Sequence, residues 1–283
     1  MGAFDQRTQH HGRVARAVTD QQAASGWDCH VHVFASDAKA ALGHYAPQDH
    51  PLERIEAMAA QHGFGHLVLV QPSVYGSDNS LMLSALQTCS GRHRGVVVVD
   101  EDVPYAQLTQ WHAWGVRGIR CNLVSPVGNR QTNWSRWAPL LRELGWHVQW
   151  YAHGDQLQKI VQWQQAHALP CVLDHVAGMH TRFSDDADAW TSLRNLADAG
   201  AWIKLSGWYR LGLASPYDLE RLRLAEIVTM FANRYVWGSD WPHTIFAAIQ
   251  APSYAQIWEP LQSHLKSAAL DRLTNQAQQL YGT

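Results

Sequence analysis

Leu67-Val68-Leu69-Val70 and Val96-Val97-Val98-Val99 are two stretches of sequence that are apolar at every position. A β-strand with one face in water alternates apolar and polar residues, whereas a strand buried on both faces is apolar throughout. Helix-like sequence, Ser80–Cys89, separates the two runs. This order predicts parallel strands in a sheet that is covered by helices on both faces.

Short strand-like runs of this kind recur along the whole chain of 283 residues. The predicted strands are Trp27–Phe34, His66–Pro72, Gly95–Asp100, Val116–Leu123, His147–His153, Cys171–Val176, Trp202–Ser206 and Tyr235–Asp240. Eight strands alternating with helices are typical of a (β/α)8 TIM barrel, and barrels reach this length as one domain. We therefore predict a single α/β barrel over residues 26–283, preceded by an N-terminal extension over residues 1–25. A doubly wound open sheet is the alternative fold.

Helices are predicted between these strands, and glycines mark several of their ends. The other helix-like stretches that the pattern indicates are Leu52–His62, Ala138–Leu144, Asp155–His167 and Leu219–Ala232. Gly63, Gly65, Gly115, Gly145 and Gly200 come just before strands. Glycine is the preferred residue after the last turn of a helix, so these positions predict helix ends.

Composition excludes several classes of protein. Hydrophobic residues make up 46% of the chain and charged residues 16%, which is typical of a folded domain. A net charge of -2 gives no reason to expect nucleic acid or an anionic membrane as a partner. No apolar run approaches the ~18 residues of a membrane helix. The four cysteines, Cys29, Cys89, Cys121 and Cys171, form no C-x-x-C pair, which favours buried free thiols and a cytoplasmic location.

Strand one carries a pair of histidines in the sequence Asp28-Cys29-His30-Val31-His32. Active sites of TIM barrels lie at the C-terminal ends of the strands. Side chains alternate along a strand, so His30 and His32 should point to one side and Cys29 and Val31 to the other. Two converging imidazoles can bind a metal, polarise a carbonyl group or bind an anion. With 17 histidines in the chain, the pair alone also fits chance.

Strands six and eight end in Asp174-His175 and in Gly238-Ser239-Asp240. An aspartate at the end of the last strand can take a proton from water as a general base. The alternative for Asp240 is a helix N-cap, because Asp commonly opens the helix after such a loop. Three strands deliver His30, His32, His175 and Asp240 to one rim, which favours catalysis.

Three further residues are candidates for binding a substrate. Arg120 stands among apolar residues of strand four, and a buried guanidinium without a partner is costly. Arg120 should therefore meet an internal acid or, as we favour, an anionic ligand. Arg210 follows strand seven and His153 ends strand five, so both can reach the mouth. A surface arginine and a structural histidine are the plainer alternatives.

The motifs together resemble the amidohydrolase superfamily, in the branch of 2-pyrone-4,6-dicarboxylate lactonase and sugar-acid lactonases. The resemblance spans Gly26 to Tyr281 in the order of the eight strands. It rests on Asp28-Cys29-His30-Val31-His32, Val70-Gln71-Pro72-Ser73, Gly76-Ser77-Asp78-Asn79, Gly115-Val116-Arg117-Gly118-Ile119-Arg120, Asp174-His175, Lys204-Leu205-Ser206-Gly207-Trp208-Tyr209-Arg210 and Trp237-Gly238-Ser239-Asp240-Trp241-Pro242-His243.

This resemblance implies an enzyme, a hydrolase that opens the carboxylic ester ring of a small lactone carrying carboxylates. Asp240 would activate water, and His30, His32 and His175 would polarise the lactone carbonyl. The resemblance also implies that Arg120, Arg210 and Tyr45 bind substrate. His153 is a substrate-binding candidate only from its place at the end of strand five, because the lactonase has a non-histidine polar residue at that position, a difference that favours a metal here. A guanidinium matches a carboxylate in two hydrogen bonds, which suits the arginines to this role.

The resemblance leaves the cofactor open. Superfamily members with two metals bring a lysine or glutamate from strand four, where this chain has Arg120. A metal-free site is one expectation. A single zinc on His30, His32 and Asp240, with His153 as a potential fourth ligand, is the other. A metal-dependent decarboxylase and a barrel that binds a sugar acid without catalysis are the alternative functions.

Overall fold

The computed structural model describes residues 25–40, 45, 48–125, 136–246 and 250–282. The predicted extension, except its last residue, lies outside these ranges. The described strands are β1 (Gly26–Val31), β2 (Phe64–Val70), β3 (Arg94–Val97), β4 (Val116–Asn122), β5 (His147–Tyr151), β6 (Cys171–Leu173), β7 (Trp202–Leu205) and β8 (Tyr235–Trp237). Each lies within or overlaps one of the eight predicted runs.

The strands form one parallel sheet that curls into a barrel. They are hydrogen-bonded to their neighbours in the order β1 to β8, and every pair is parallel. Two backbone contacts join the first strand to the segment after the last. The Asp240 N–H donates to the His30 carbonyl at 2.8 Å, and the His32 N–H donates to the Trp241 carbonyl at 2.9 Å. The TIM barrel prediction is confirmed.

Helices lie between successive strands and cover the outside of the barrel. They are α1 (Leu52–Ala60), α2 (Ser80–Thr88), α3 (Tyr105–Ala113), α4 (Ala138–Glu143), α5 (Leu157–His167), α6 (Ala187–Asp198), α7 (Leu224–Met230), α8 (Tyr254–His264), α9 (Ser267–Asn275) and α10 (Ala277–Tyr281). Within the described ranges, a bilayer-spanning helix is absent. Cys29, Cys89, Cys121 and Cys171 are buried and form no disulfide within the described ranges.

The sixth and eighth strands end earlier than the sequence predicts. The predicted runs extend to Val176 and Asp240, but β6 ends at Leu173 and β8 ends at Trp237. The backbone then turns into the left-handed region, with φ of 49° at His175 and 59° at Asp240. L-residues adopt this region rarely, and such residues cluster at functional sites. The turn takes these two side chains out of the strand alternation.

One predicted helix is interrupted, and one predicted cap is misplaced. The stretch Leu219–Ala232 forms a 3₁₀ turn, Leu219–Leu222, followed by α7. Arg223 separates them with φ of 53°, a conformation that ends a right-handed helix. The Arg223 guanidinium donates to the Ser184 carbonyl at 3.0 Å, which anchors this break to another loop. Gly65 lies inside β2 and therefore caps no helix.

The apolar core has two parts, one between the barrel and the helices and one inside the barrel. Cys29 lies in the part inside the barrel, which the strand alternation did not predict. Between barrel and helices, Val31 packs with most of the apolar side chains. Inside the barrel, Cys29 packs with Val68 and Val96. The register between β1 and β2 shifts between Asp28 and Val31, as at a β-bulge. The bulge adds a residue, so Cys29 and the following histidine both face the interior. The prediction that Cys29 points to the opposite side of the strand from His30 was therefore wrong.

The C-terminal helix closes the end of the barrel that is opposite the strand-end rim. Tyr281 is fully buried there, with its ring centroid 6.1 Å from that of Trp27 and 5.4 Å from that of His147. The Arg94 Nε donates to the Tyr281 carbonyl at 2.7 Å. Trp27, His147 and Arg94 all stand at the beginnings of their strands, so α10 plugs the N-terminal mouth.

Tyr281→Ala is expected to lower the free energy of unfolding by about 3–5 kcal/mol, because it removes a buried aromatic ring. Tyr281→Phe is the matched control, since the Tyr281 hydroxyl has no hydrogen-bond partner among the described residues. The phenylalanine variant should unfold within about 1 kcal/mol of the wild type. Denaturant unfolding measures both variants. If both variants lost the same free energy of unfolding, the aromatic ring of Tyr281 would not be the source of the stability that α10 provides.

Candidate active site

Four predicted residues from three strands converge at the rim of the barrel. The Nε2 atoms of His30, His32 and His175 lie 3.6 Å, 3.4 Å and 3.9 Å from Oδ1 of Asp240. All four side chains are buried. His30 lies in β1 and His32 follows its last residue, as the spacing predicts, while His175 and Asp240 reach the same point through the left-handed turns that follow β6 and β8.

The outer nitrogens of the two β1 histidines fix how the rings face the site. His32 Nδ1 lies 2.7 Å from the Val70 carbonyl oxygen. A carbonyl oxygen only accepts, so this nitrogen carries the proton and the neutral ring presents a lone pair on Nε2. His30 Nδ1 lies 3.2 Å from Asp174 Oδ1, also an acceptor. Neutral His32 therefore accepts at the site, which argues against direct polarisation of a carbonyl by this ring.

Burial keeps these histidines neutral. It lowers the pKa of His30 and of His32, although Asp174 and Asp240 oppose the shift. The pKa of His175 falls to about 4 for the same reason, with its Nδ1 2.9 Å from the Ser206 hydroxyl. At neutral pH the site therefore holds three uncharged imidazoles around one carboxylate.

Asp240 has one occupied and one open carboxylate oxygen. Its Oδ2 accepts from the Tyr209 hydroxyl at 2.5 Å and from Arg210 Nε at 2.6 Å. Burial alone raises the pKa of Asp240, but the Arg210 guanidinium outweighs it and holds that pKa well below the usual value. The helix N-cap alternative does not apply in the described chain, because the next helix, α8, is capped by Ser253. Asp240 is ionised and points Oδ1 at the histidines.

A buried charge network that sequence reasoning missed lies beneath His30. Lys204 Nζ donates to Gln149 Oε1 at 2.6 Å and lies 3.4 Å from Asp174 Oδ1. Gln149 Nε2 donates to Asp174 Oδ2 at 3.0 Å. A signal existed, since Lys204 stands between two apolar residues of its strand, as Arg120 does. The burial argument applied to that arginine would have found it.

Arg120 and Arg210 both lie close to the ring of Tyr151 at the mouth of the barrel. Their guanidinium carbons lie 5.9 Å and 5.8 Å from the centroid of the Tyr151 ring. Arg120 also meets an internal acid, with Nε 3.7 Å from Asp174 Oδ2, and donates to the Gln71 carbonyl at 2.9 Å. The structure thus brings both arginines to the site, and Arg210 is additionally bonded to Asp240.

Tyr45 lies near this group, whereas His153 does not join the histidine cluster. Burial raises the pKa of Tyr45 to about 12, against the opposing charges of Arg120 and Arg210. His153 follows β5, and after burial the charge that most lowers its pKa is that of Arg182. Among the described residues, no metal-type cluster of ligand atoms includes His153. The suggested fourth-ligand role has no support in this geometry.

A cavity of about 580 Å³ opens beside the mouth. Its walls include Tyr45, His50, Arg54, Trp241 and Thr244, but none of the four convergent residues. The volume suits a small ligand. The cavity is displaced from the convergent side chains, so their geometry, rather than the size of the cavity, marks the candidate site.

The convergent atoms fit a single divalent cation. Ligands bound to zinc at 2.0–2.2 Å with tetrahedral angles lie about 3.4 Å from one another. The distances from the Nε2 atoms of His30 and His32 to Asp240 Oδ1 match this distance between ligand atoms. His30 Nε2 and Asp240 Oδ1 are both buried without a hydrogen-bond partner among the described residues. The two imidazole lone pairs and the carboxylate oxygen have no hydrogen-bond donor between them. These three atoms can therefore act together as metal ligands.

A second cluster, Glu56, Cys89 and His93, does not fit a metal. His93 Nδ1 accepts from the Leu67 N–H at 3.1 Å, so the ring proton sits on Nε2. That nitrogen lies 2.7 Å from Glu56 and donates to it. His93 therefore has no lone pair left for a cation.

Comparison with known proteins finds one family and a consistent set of relatives. The amidohydrolase family model matches residues 27–282. A 4-sulfomuconolactone hydrolase of Hydrogenophaga intermedia is 28% identical over 244 residues, covering 83% of this chain and 80% of its own. A 2-pyrone-4,6-dicarboxylate hydrolase of Comamonas testosteroni is 30% identical over 238 residues, covering 78% and 77%.

Solved structures agree in fold over nearly the whole barrel. A probable 2-pyrone-4,6-dicarboxylic acid hydrolase from Acinetobacter baumannii, with citric acid bound, is 28% identical with a TM-score of 0.81. The match covers 92% of this chain and 100% of that one. A protein from Pseudomonas putida described in the same terms is 32% identical, with a TM-score of 0.80 and coverage of 92% and 98%.

Proposed function

This chain belongs to the amidohydrolase family, and from that premise we propose that it opens the ester ring of a small carboxylated lactone. The enzyme class follows from the relatives, which are named as hydrolases of lactones. The substrate proposed is 2-pyrone-4,6-dicarboxylate or a sugar-acid lactone. The observation that carries the proposal is the convergence of His30, His32 and His175 on Oδ1 of Asp240.

A carboxylate on the substrate suits the charge of the site. The buried cations are Arg120, Arg210 and Lys204, and the carboxylates that face them are Asp174 and Asp240. These five groups leave one positive charge over, and a divalent cation would add to it, so a substrate carboxylate suits the site with or without a metal. The guanidinium carbons of the two arginines lie 5.9 Å and 5.8 Å from the centroid of the Tyr151 ring, and each arginine can offer guanidinium donors to such a group. The citric acid bound to the Acinetobacter baumannii relative is also a carboxylic acid.

Asp240 is proposed to move the proton in ring opening. Its Oδ1 takes a proton from water while the water oxygen bonds to the lactone carbonyl carbon. The ring C–O bond then breaks, and the same proton passes to the departing oxygen. Arg210 and Tyr209 hold Oδ2, so the carboxylate keeps its orientation throughout.

We infer that one divalent cation, zinc by its ligand types, completes the site. His30, His32 and Asp240 would hold it, with His175 beside them. When bound, such an ion supplies positive charge that polarises a carbonyl oxygen. The neutral histidines do not themselves supply that charge, because His32 presents a lone pair to the site.

Purified protein is expected to contain about one equivalent of zinc, and chelation should abolish lactone opening. Elemental analysis and a panel of carboxylated lactones, assayed with and without chelator, measure both. Restoring zinc should restore the rate. Chelator-resistant hydrolysis by metal-free protein would exclude zinc as a required cofactor, while the proposal of lactone hydrolysis would still stand. Release of carbon dioxide without ring opening would instead identify a decarboxylase, and tight binding without turnover would identify a binding barrel.

A further inference from the structure

We propose that Asp174 and Lys204 together are positioning residues that set the tautomer of His30. The Asp174 carboxylate keeps the ring proton of His30 on Nδ1, and Lys204 holds Asp174 in its charged, accepting form. The consequence is that His30 turns a lone pair, and not a proton, toward Asp240.

The contacts of His30 Nδ1 place two opposite groups in competition. The Asp174 carboxylate oxygen lies 3.2 Å away and can only accept, which requires a proton on Nδ1. The Lys204 ammonium lies 3.5 Å away and can only donate, which requires a lone pair there. The ring can satisfy one of them, so its tautomer depends on which contact is stronger.

Asp174 is the stronger partner for three reasons. It is the nearer of the two. The Lys204 ammonium already donates to Gln149 at 2.6 Å and lies 3.4 Å from the carboxylate itself, so its protons have other acceptors. An unprotonated Nδ1 would also set two acceptor atoms against each other at 3.2 Å. The contact between Nδ1 and Oδ1 does not have hydrogen-bond geometry, so distance and charge, rather than an aligned hydrogen bond, favour Asp174.

Lys204 is needed because Asp174 is wholly buried. A carboxylate removed from water without a nearby cation is costly. Arg120 is the other cation in contact, but its Nε is 3.7 Å from Oδ2, on the far side from His30. Lys204 contacts Oδ1, the oxygen that faces the ring. This arrangement resembles the carboxylate–histidine pairs that orient metal ligands.

The test is Asp174→Ala, read by ¹⁵N NMR of histidine-labelled, metal-free protein at one fixed pH. Comparison with His30→Gln identifies the His30 signals. In the wild type, His30 Nε2 should give the signal of an unprotonated nitrogen. In Asp174→Ala, Lys204 becomes the partner of Nδ1, so the proton should move to Nε2. Zinc affinity, measured by competition with a chelator, should fall by about 10- to 100-fold.

Two further variants keep the test decisive if Asp174→Ala does not fold. Asp174→Asn with Lys204→Met removes both charges and leaves an amide oxygen for the Nδ1 proton, so Nε2 should stay unprotonated. Gln149→Met removes one acceptor of the Lys204 ammonium but leaves the Asp174 carboxylate 3.4 Å from it, so it should change stability while the Asp174 contact keeps Nε2 unprotonated. A protonated Nε2 in the wild type, or in the double variant, would overturn the inference. So would an unprotonated Nε2 in Asp174→Ala.

The inference is separable from the proposed function. It rests on that function only for the zinc measurement, since the NMR signals require neither substrate nor metal. If wild-type protein fails to bind zinc, the cofactor proposal fails and the NMR result alone decides the role of Asp174 and Lys204.

Discussion

Asp240→Asn is expected to lower kcat/KM for lactone opening by about 10²–10⁴-fold, because an amide cannot take the proton of the attacking water. Oδ1 is the carboxylate oxygen that faces the three histidines, and no described group donates a hydrogen bond to it. The amide retains an oxygen that can accept from Tyr209 and Arg210, so the loop geometry should survive. Turnover should therefore collapse while the fold remains.

Steady-state kinetics and calorimetric binding of the same lactone measure this effect. Asp188→Asn, an exposed change in the first turn of α6, is the control and should leave both unchanged. Substrate affinity in Asp240→Asn should change far less than turnover. Hydrolysis at the wild-type rate would exclude Asp240 as the base. An equal loss of binding and turnover would assign it to substrate binding.

Arg120→Met is expected to cost about 2–5 kcal/mol in kcat/KM for a carboxylated lactone, which is about 30-fold to a few thousand-fold. The buried guanidinium lies at the mouth beside Tyr151, where it can pair with a substrate carboxylate. Methionine keeps an unbranched apolar side chain but removes the charge. A lactone without a carboxylate has no such pair to lose, so its already slow hydrolysis should change much less.

Arg117→Met is the matched control for this prediction. Arg117 lies on the same strand, β4, and donates to the carbonyl groups of His112 and Val116. An odd spacing of three residues places it on the opposite side of the strand from Arg120. Its loss should affect stability and not substrate preference. A similar fall in kcat/KM for charged and uncharged lactones in Arg120→Met would contradict carboxylate recognition.

Local sequence was sufficient for the barrel and for much of the rim. Burial on both faces leaves several strands apolar at nearly every position, so the eight strand-like runs were countable without any tertiary contact. The i, i+2 spacing of His30 and His32 placed both rings on one side, and strand order brought Asp240 to the same end. These properties depend on neighbours in the chain, which is why the sequence reveals them.

Tertiary structure alone decided the protonation pattern and the exceptions to periodicity. The bulge that turns Cys29 inward is a register shift against β2, and the turn at His175 is a backbone choice that no periodicity encodes. The tautomer of His30 depends on Lys204, which is 174 positions away in the chain. Contacts over such distances exist only once the barrel has closed. By itself, therefore, the sequence indicated which side chains reach the rim, and the closed barrel determined which of them donate and which accept.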